Sequence, residues 1–252
     1  MPEFERAAAV HPVDPDVTVQ VEGSMPPLAP ELDAEVEAEW QAAILRMAPV
    51  IRLFNGRVFN AVRITPTLIT GHFTEYRRVV AQMARPLLFK ELRIRSLAAC
   101  GVLTCRDGVV FGRRQHGAAY QSDLWQLPPA GSVDAACIAA DGTVDVRRQV
   151  LTELQEELSI PDDCVQVGAP LCIVEHQGSR VSDLGVRLHT DLSAADILCL
   201  HKTHGNAEYS ELRVVPASEL EAFLSRHRRR VVPSAPILLQ AAQLVLALST
   251  AV

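Results

Sequence analysis

Lysine is almost missing from this chain: of 24 lysines and arginines only Lys90 and Lys202 are lysine. No C-x-x-C pair occurs among Cys100, Cys105, Cys137, Cys164, Cys172 and Cys199, which removes the commonest thiol signature of a metal or redox site. Most of these cysteines sit in apolar, strand-like surroundings and look like reduced core residues of a cytosolic protein. A basic stripe is also lacking. Residues 1–40 hold ten acids against Arg6, so the rest of the chain carries about +3 within a whole of -6. A near-neutral body does not make a general nucleic-acid surface. "RHRRR" (226–230) is the one dense basic run and reads as a solvated loop.

Long apolar runs are scarce too. The opening "MPEFERAAAVHPVDPD" has neither a basic n-region nor an apolar h-region, so no signal peptide is expected. "PILLQAAQLVLALSTAV" carries Gln240 and Gln243 and is short for a membrane span, which favours a buried last helix. What is present is a composition 48% apolar over 252 residues, enough to bury a large core.

Residues 1–30, rich in proline and acids, read as an extended or disordered arm. A helix is expected at about 31–46, where Leu32, Val36, Trp40, Ala43 and Leu45 share one side. "VIRLF-NG-RVFNAVRI" places Asn55-Gly56 between two β-rich runs, a hairpin signal because both turn residues need positive φ. "TEYRRVVAQMA" (74–84) reads as a helix ended by Pro86. A second hairpin crosses Arg106-Asp107-Gly108, then come the loop "LWQLPPAG", a helix at about 145–158, and strands near "VQVGAPLCIVEHQ", "SDLGVRLHTDL" and "ELRVVP". A short helix "ASELEAFLS" and a long one at about 234–248 close the chain. This order predicts an α/β (α+β) fold, a mixed β-sheet sandwiched between helices, with an N-terminal β-lobe. The expected division is an acidic arm and helix over 1–46, a β-lobe over 47–95 and the main domain over 96–252.

The helix at 145–158 carries the chemistry. Val146, Val150, Leu151, Leu154 and Leu158 form its apolar stripe, while Glu153, Glu156 and Glu157 crowd another side with no lysine or arginine among them. The preceding "LPPAG" ends in a glycine that lets the backbone approach a ligand closely. Three hard oxygen donors facing such a loop are what Mg²⁺ or Mn²⁺ on a phosphate would require.

"LPPAG" followed by "TELQEELSI" resembles the Nudix box, G-x5-E-x7-R-E-U-x-E-E-x-G-U with U aliphatic. Gly131 matches the opening glycine, Glu153 the glutamate after the arginine, Glu156 and Glu157 the paired glutamates, and Leu154 and Ile160 the aliphatic positions. Thr152 stands in place of the arginine and Ser159 in place of the second glycine, and an insertion of about seven residues, roughly "CIAADGT", enlarges the loop. The box's first glutamate has no clean counterpart; Asp134 or Asp145 is the nearest carboxylate, and Arg148, one turn before Thr152, is the nearest arginine. The wider order, over roughly residues 50–245, resembles the branch of UDP-glucose and UDP-galactose pyrophosphatases.

The resemblance implies a cytoplasmic, Mg²⁺- or Mn²⁺-dependent hydrolase of a nucleoside diphosphate linked to another moiety, with a UDP-sugar giving UMP and sugar 1-phosphate. It implies Glu153, Glu156 and Glu157 as metal ligands, with Glu156 also a proton acceptor. A later-loop carboxylate, Glu208 or Glu211, would serve as base, with Glu211 preferred as the second catalytic residue. Gly131, Arg113, Arg114 and Tyr76 are the expected substrate contacts. Expected partners are a small-molecule nucleotide and a second copy of the chain as a homodimer, with neither nucleic acid nor membrane. Two alternatives stay open: a decayed domain that senses a nucleotide or metabolite, and an enzyme of a specialised pathway acting on another phosphate. Trp125 reads as core, and "HKTH" (201–204) as a loop without metal spacing.

Overall fold

A computed structural model describes residues 8–47, 53–118 and 120–246. The chain opens with β1 (Ala8–Pro12), β2 (Thr18–Val21) and α1 (Pro30–Met47), then β3 (Arg57–Ile64), β4 (Leu68–Glu75), α2 (Tyr76–Ala84) and the single turn α3 (Phe89–Leu92). The central part holds β5 (Leu97–Cys105), β6 (Gly108–Arg114), β7 (Trp125–Gln126), β8 (Ala130–Ser132) and α4 (Val146–Leu158). It continues through β9 (Gln166–His176), β10 (Ser182–His189), α5 (Ala194–His204), β11 (Tyr209–Val215), α6 (Leu220–Arg226) and α7 (Ser234–Ala241).

The main sheet runs β1-β9-β10-β5-β6-β11, with β7 on β6 and β8 on β5. Only β10 and β5 in it are parallel; the other pairs are antiparallel. Its inward residues alternate, so Leu97, Ala99 and Leu103 of β5 join one core with Val150, Leu154 and Leu158 of α4 and Ile197 of α5. Ala98, Cys100 and Val102 face the other way, toward Leu220 and Phe223 of α6 and Leu238 and Leu239 of α7. Helices therefore cover both faces of a mixed sheet, as the element order predicts.

Several local expectations are corrected. Of the two readings of the proline-rich arm, extended or disordered, its described residues take the extended one: β1 pairs with β9 in register Ala8 to His176, and β2 pairs parallel with β4 in a second sheet, β2-β4-β3. These strands cover sheet edges whose backbone groups would otherwise be open. Asn55-Gly56 makes no hairpin. Residues 50–52 lie outside the described residues, Leu53 and Phe54 are not strand, and the hairpin forms instead between β3 and β4. The Asn55 side chain accepts the Arg77 N–H at 2.9 Å and the Gly56 carbonyl accepts that of Tyr76, so the pair satisfies the free donors of α2. "HKTH" ends α5, which Ser193 opens with a reciprocal capping box to Asp196. The last helix is shorter than predicted, stopping at Ala241. Cys164 and Cys199 are exposed, while the other four cysteines are buried.

The acidic run of α1 meets α2. Arg77 contacts Asp33 at 2.8 Å and Glu37 at 3.5 Å, and Arg85 contacts Glu35. No helix among the described residues is long and apolar enough to cross a membrane.

Candidate active site

The glutamate helix begins at Asp145, whose carboxylate accepts the Arg148 N–H at 2.9 Å, and ends at Ser159, whose φ of 56° is left-handed. Glycine usually takes that position because a Cβ is disfavoured there. Asp134 caps the short turn at Ala135–Cys137 in the same way. Neither aspartate enters the cavity, so the expectation that one replaces the missing box glutamate is corrected: both carboxylates serve backbone donors.

A cavity of about 370 Å³ opens between α4, β8, β10, the loop after β6 and the start of α7. Glu153, Glu156, Glu157 and Gly131 all line it, as do Tyr76 and Arg114. A Cβ at Gly131 would overlap the Glu153 carboxylate, so glycine here lets that carboxylate lie directly against the β8 backbone. Pro128-Pro129 is a cis peptide bond just before β8. Glu157 is 2% exposed, and its carboxyl accepts the Ala130 N–H at 3.2 Å and the Tyr209 hydroxyl at 2.9 Å.

Tyr209 belongs to a continuous chain that the sequence reading missed. Its hydroxyl accepts from Gln126 Nε2 at 2.6 Å; Gln126 Oε1 accepts from Arg114 at 3.0 Å; Arg114 reaches Glu208 at 2.9 Å. Gln149 does the same for Glu153, donating to it at 2.7 Å while its own oxygen takes the Asp134 N–H. No spacing rule could find these partners, because three of the elements involved meet only in the folded sheet. Thr152 is exposed and bonds back to the Arg148 carbonyl at 3.0 Å. Arg148 and Thr152 line a shallow depression on the solvent side of α4, so Arg148 does not stand in for the box arginine.

Two expected site residues lie elsewhere. Arg113 alternates with Arg114 along β6 and points away from the cavity, toward Asp123 at 3.6 Å. Glu211 is also outside, paired with Arg213 at 2.8 Å. The cause is a register shift between Tyr209 and Glu211, an extra residue that reverses the parity of β11. Tyr209, Leu212 and Val214 therefore share the α4 side of the sheet, and Glu211 faces the other way. Glu208, the other candidate, lines the cavity. Trp125 is core, packed against Phe223.

The cavity is short of positive charge. Burial, then the neighbouring Glu156 and Glu208, pushes the Glu153 carboxyl up to about 7. Burial, with Glu153 and Glu208, raises Glu157 well above the carboxylate range against the pull of Tyr209 and Ala130. Burial also raises the Tyr76 phenol. As the side chains stand, no group of three or more His, Cys, Asp or Glu among the described residues is arranged to hold a metal ion. The donor set nevertheless fits a hard divalent cation: Glu153, Glu156, Glu157 and Glu208 supply only oxygen, and their mutual repulsion is what such an ion relieves.

No family model and no curated protein matches the chain. Among solved structures, a Nudix hydrolase from M. smegmatis, RenU, is 16% identical with a TM-score of 0.41, over 62% of this chain and 90% of that one. A bifunctional NMN adenylyltransferase/ADP ribose pyrophosphatase from Francisella tularensis is 13% identical with a TM-score of 0.42, over 65% and 45%. A C. elegans Ap4A hydrolase is 14% identical with a TM-score of 0.38, over 59% and 95%. Similarity at this level assigns no function.

Proposed function

We propose that the chain is a Nudix-type hydrolase that cleaves the pyrophosphate bond of a nucleoside diphosphate linked to another moiety, using Mg²⁺ or Mn²⁺. What carries the reading is the contact of β8 with α4: the backbone of Gly131 lies against Glu153 while Ala130 holds Glu157 in the same cavity. A UDP-sugar is the preferred substrate, on the resemblance of residues 50–245 to the UDP-sugar pyrophosphatases.

A bound divalent cation would supply charge neutralisation on the diphosphate and a more acidic water. Glu153, Glu156 and Glu157 are the residues that would hold it. Glu156, exposed at the cavity mouth, and Glu208 are placed to take the proton of an attacking water, which moves the role expected of Glu211 to Glu208. Arg114, steadied by Gln126 and Glu208, offers a fixed guanidinium to a phosphate oxygen. Tyr76, stacked edge-on against Trp40, closes one wall against water.

The test is incubation with Mg²⁺ and a panel of nucleotide-sugars, ADP-ribose and dinucleotides, measuring released monophosphate. Wild type is expected to turn over at least one member, and Glu157→Gln to lose about 10²–10³ in rate. Saturable binding without turnover of any member would replace the hydrolase with a nucleotide sensor. Equal rates in Glu157→Gln would remove the glutamates from the chemistry.

A further inference from the structure

The cavity holds a second set of polar side chains that the hydrolysis itself does not use, Cys100, Asp183 and Ser234, among the apolar Val181, Val232 and Leu238. Asp183 is 7% exposed, and its Oδ2 lies 2.8 Å from Nε2 of His176, itself 1% exposed. Ser234 and Cys100 lie beside it and favour its charged form. Burial opposes ionisation of this carboxyl, but His176, Ser234 and Cys100 outweigh it and hold Asp183 below the usual range. A carboxylate offers about four acceptor positions and His176 takes one, so Asp183 keeps acceptor capacity at a group that lines the cavity.

Gln121 also lines the cavity. Its backbone is left-handed, with φ of 53°, and its buried amide nitrogen has no hydrogen-bond partner. A residue in a disfavoured conformation with an unmet donor on a cavity wall is a place where a ligand acceptor would be satisfied.

We propose that the wall carrying Asp183 is the subsite for the moiety linked to the diphosphate, and that Asp183 selects moieties presenting N–H or O–H donors while Gln121 donates to an acceptor on the same moiety. The assignment rests on the reading that the glutamate turn handles the diphosphate. Either a nucleobase edge or sugar hydroxyls present such donors, and a buried acceptor left unpaired penalises an analogue that lacks them. The His176–Asp183 pair also ties β9 to β10, so the test needs a readout that a purely structural role would not move.

That readout is discrimination between matched ligands, measured by calorimetric binding with Ca²⁺ in place of Mg²⁺. The base arm pairs ADP-ribose with its N6,N6-dimethyladenine analogue, which lacks the exocyclic N–H; the sugar arm pairs UDP-glucose with its monodeoxy analogues. Wild type is expected to prefer the donor-bearing member by about tenfold or more in one arm, which identifies the moiety, and Asp183→Asn to bring that pair within about threefold. Absence of discrimination in both arms, or discrimination unchanged in Asp183→Asn, overturns the proposal. Turnover of the same panel in Mg²⁺ separates the two readings. Discrimination lost in Asp183→Asn without turnover keeps the subsite and removes the hydrolase, whereas turnover with selectivity indifferent to Asp183 does the reverse. Should Asp183→Asn fail to fold, Gln121→Asn shortens the amide while tolerating the left-handed backbone. It is expected to weaken binding of the preferred ligand three- to tenfold, roughly, and unchanged binding overturns the proposal.

Discussion

Replacing Tyr209 by phenylalanine removes one oxygen from the middle of the chain Arg114–Gln126–Tyr209–Glu157 and leaves the ring in place. The hydroxyl makes two hydrogen bonds, at 2.9 Å to Glu157 and 2.6 Å from Gln126. Tyr209, Gln126 and Glu157 are 4%, 6% and 2% exposed, and a replacing water could enter only from the cavity that Gln126 and Glu157 line. Glu157 keeps the Ala130 N–H, whereas Gln126 Nε2 loses its partner, for a net loss of about 2 kcal/mol. In a chain of this size that lowers Tm by roughly 4–8 °C. Denaturant unfolding of the metal-free protein, compared with Tyr76→Phe as a reference phenol of the same cavity, measures it. A loss under about 0.5 kcal/mol would refute the reading that this hydroxyl links the hydrogen-bonded chain.

The two close-approach glycines respond differently. A Cβ at Gly131 meets only the movable Glu153 carboxylate, so Gly131→Ala costs under about 1 kcal/mol yet lowers hydrolysis at least tenfold, roughly, by turning Glu153. A Cβ at Gly71 meets the Asn60 backbone oxygen, so Gly71→Ala costs about 1–3 kcal/mol by displacing β3; parallel melts and rate assays separate these outcomes. Ser159→Gly relieves the left-handed backbone at the end of α4 and is expected to stabilise by about 0.5–1 kcal/mol, read from the shift in denaturation midpoint. The pH dependence follows from Asp183, whose carboxyl is held below its unfolded value near 3.9. Its stabilisation is present above the unfolded value and is lost as pH falls through the depressed folded value. The stability gap between wild type and Asp183→Asn should therefore be constant from pH 5 to 7, roughly, and close in stronger acid. A gap that widens below pH 4, about, contradicts the sign.

How much of the site was legible depends on how local each part is. The spacing of Glu153, Glu156 and Glu157 fixes them on one turn of α4 whatever surrounds it, and the apolar stripe opposite them fixes which side is buried. Gly131 was legible for the same reason, as a residue type that only a close approach or an unusual backbone explains. Arg113 and Arg114 were not separable, since sequence tells that neighbours on a strand face apart but not which one faces the ligand. Glu211 was misplaced by a single extra residue in β11, which leaves no local mark yet reverses every later side chain.

The arm and the inserted loop show the same limit at larger scale. Proline and acid content left the arm either extended or disordered without naming what it would pair with; Val21 donates to the Gly142 carbonyl at 2.9 Å and Val144 to that of Val19 at 2.8 Å, so β2 and the insertion fold onto each other. Neither segment has a pattern that identifies the other. By itself, then, the sequence determined the helix that carries three glutamates, the glycine before it and the mixed α/β class, because periodicity and conformational freedom act within a few residues. The tertiary structure alone decided that Tyr209, Gln126 and Gln149 hold those glutamates, that Arg114 and Glu208 enter the cavity while Arg113 and Glu211 do not, and that Asp183 lines it as well. Those outcomes depend on strand pairing and register between segments far apart in the chain, where one hydrogen bond or one extra residue selects the face.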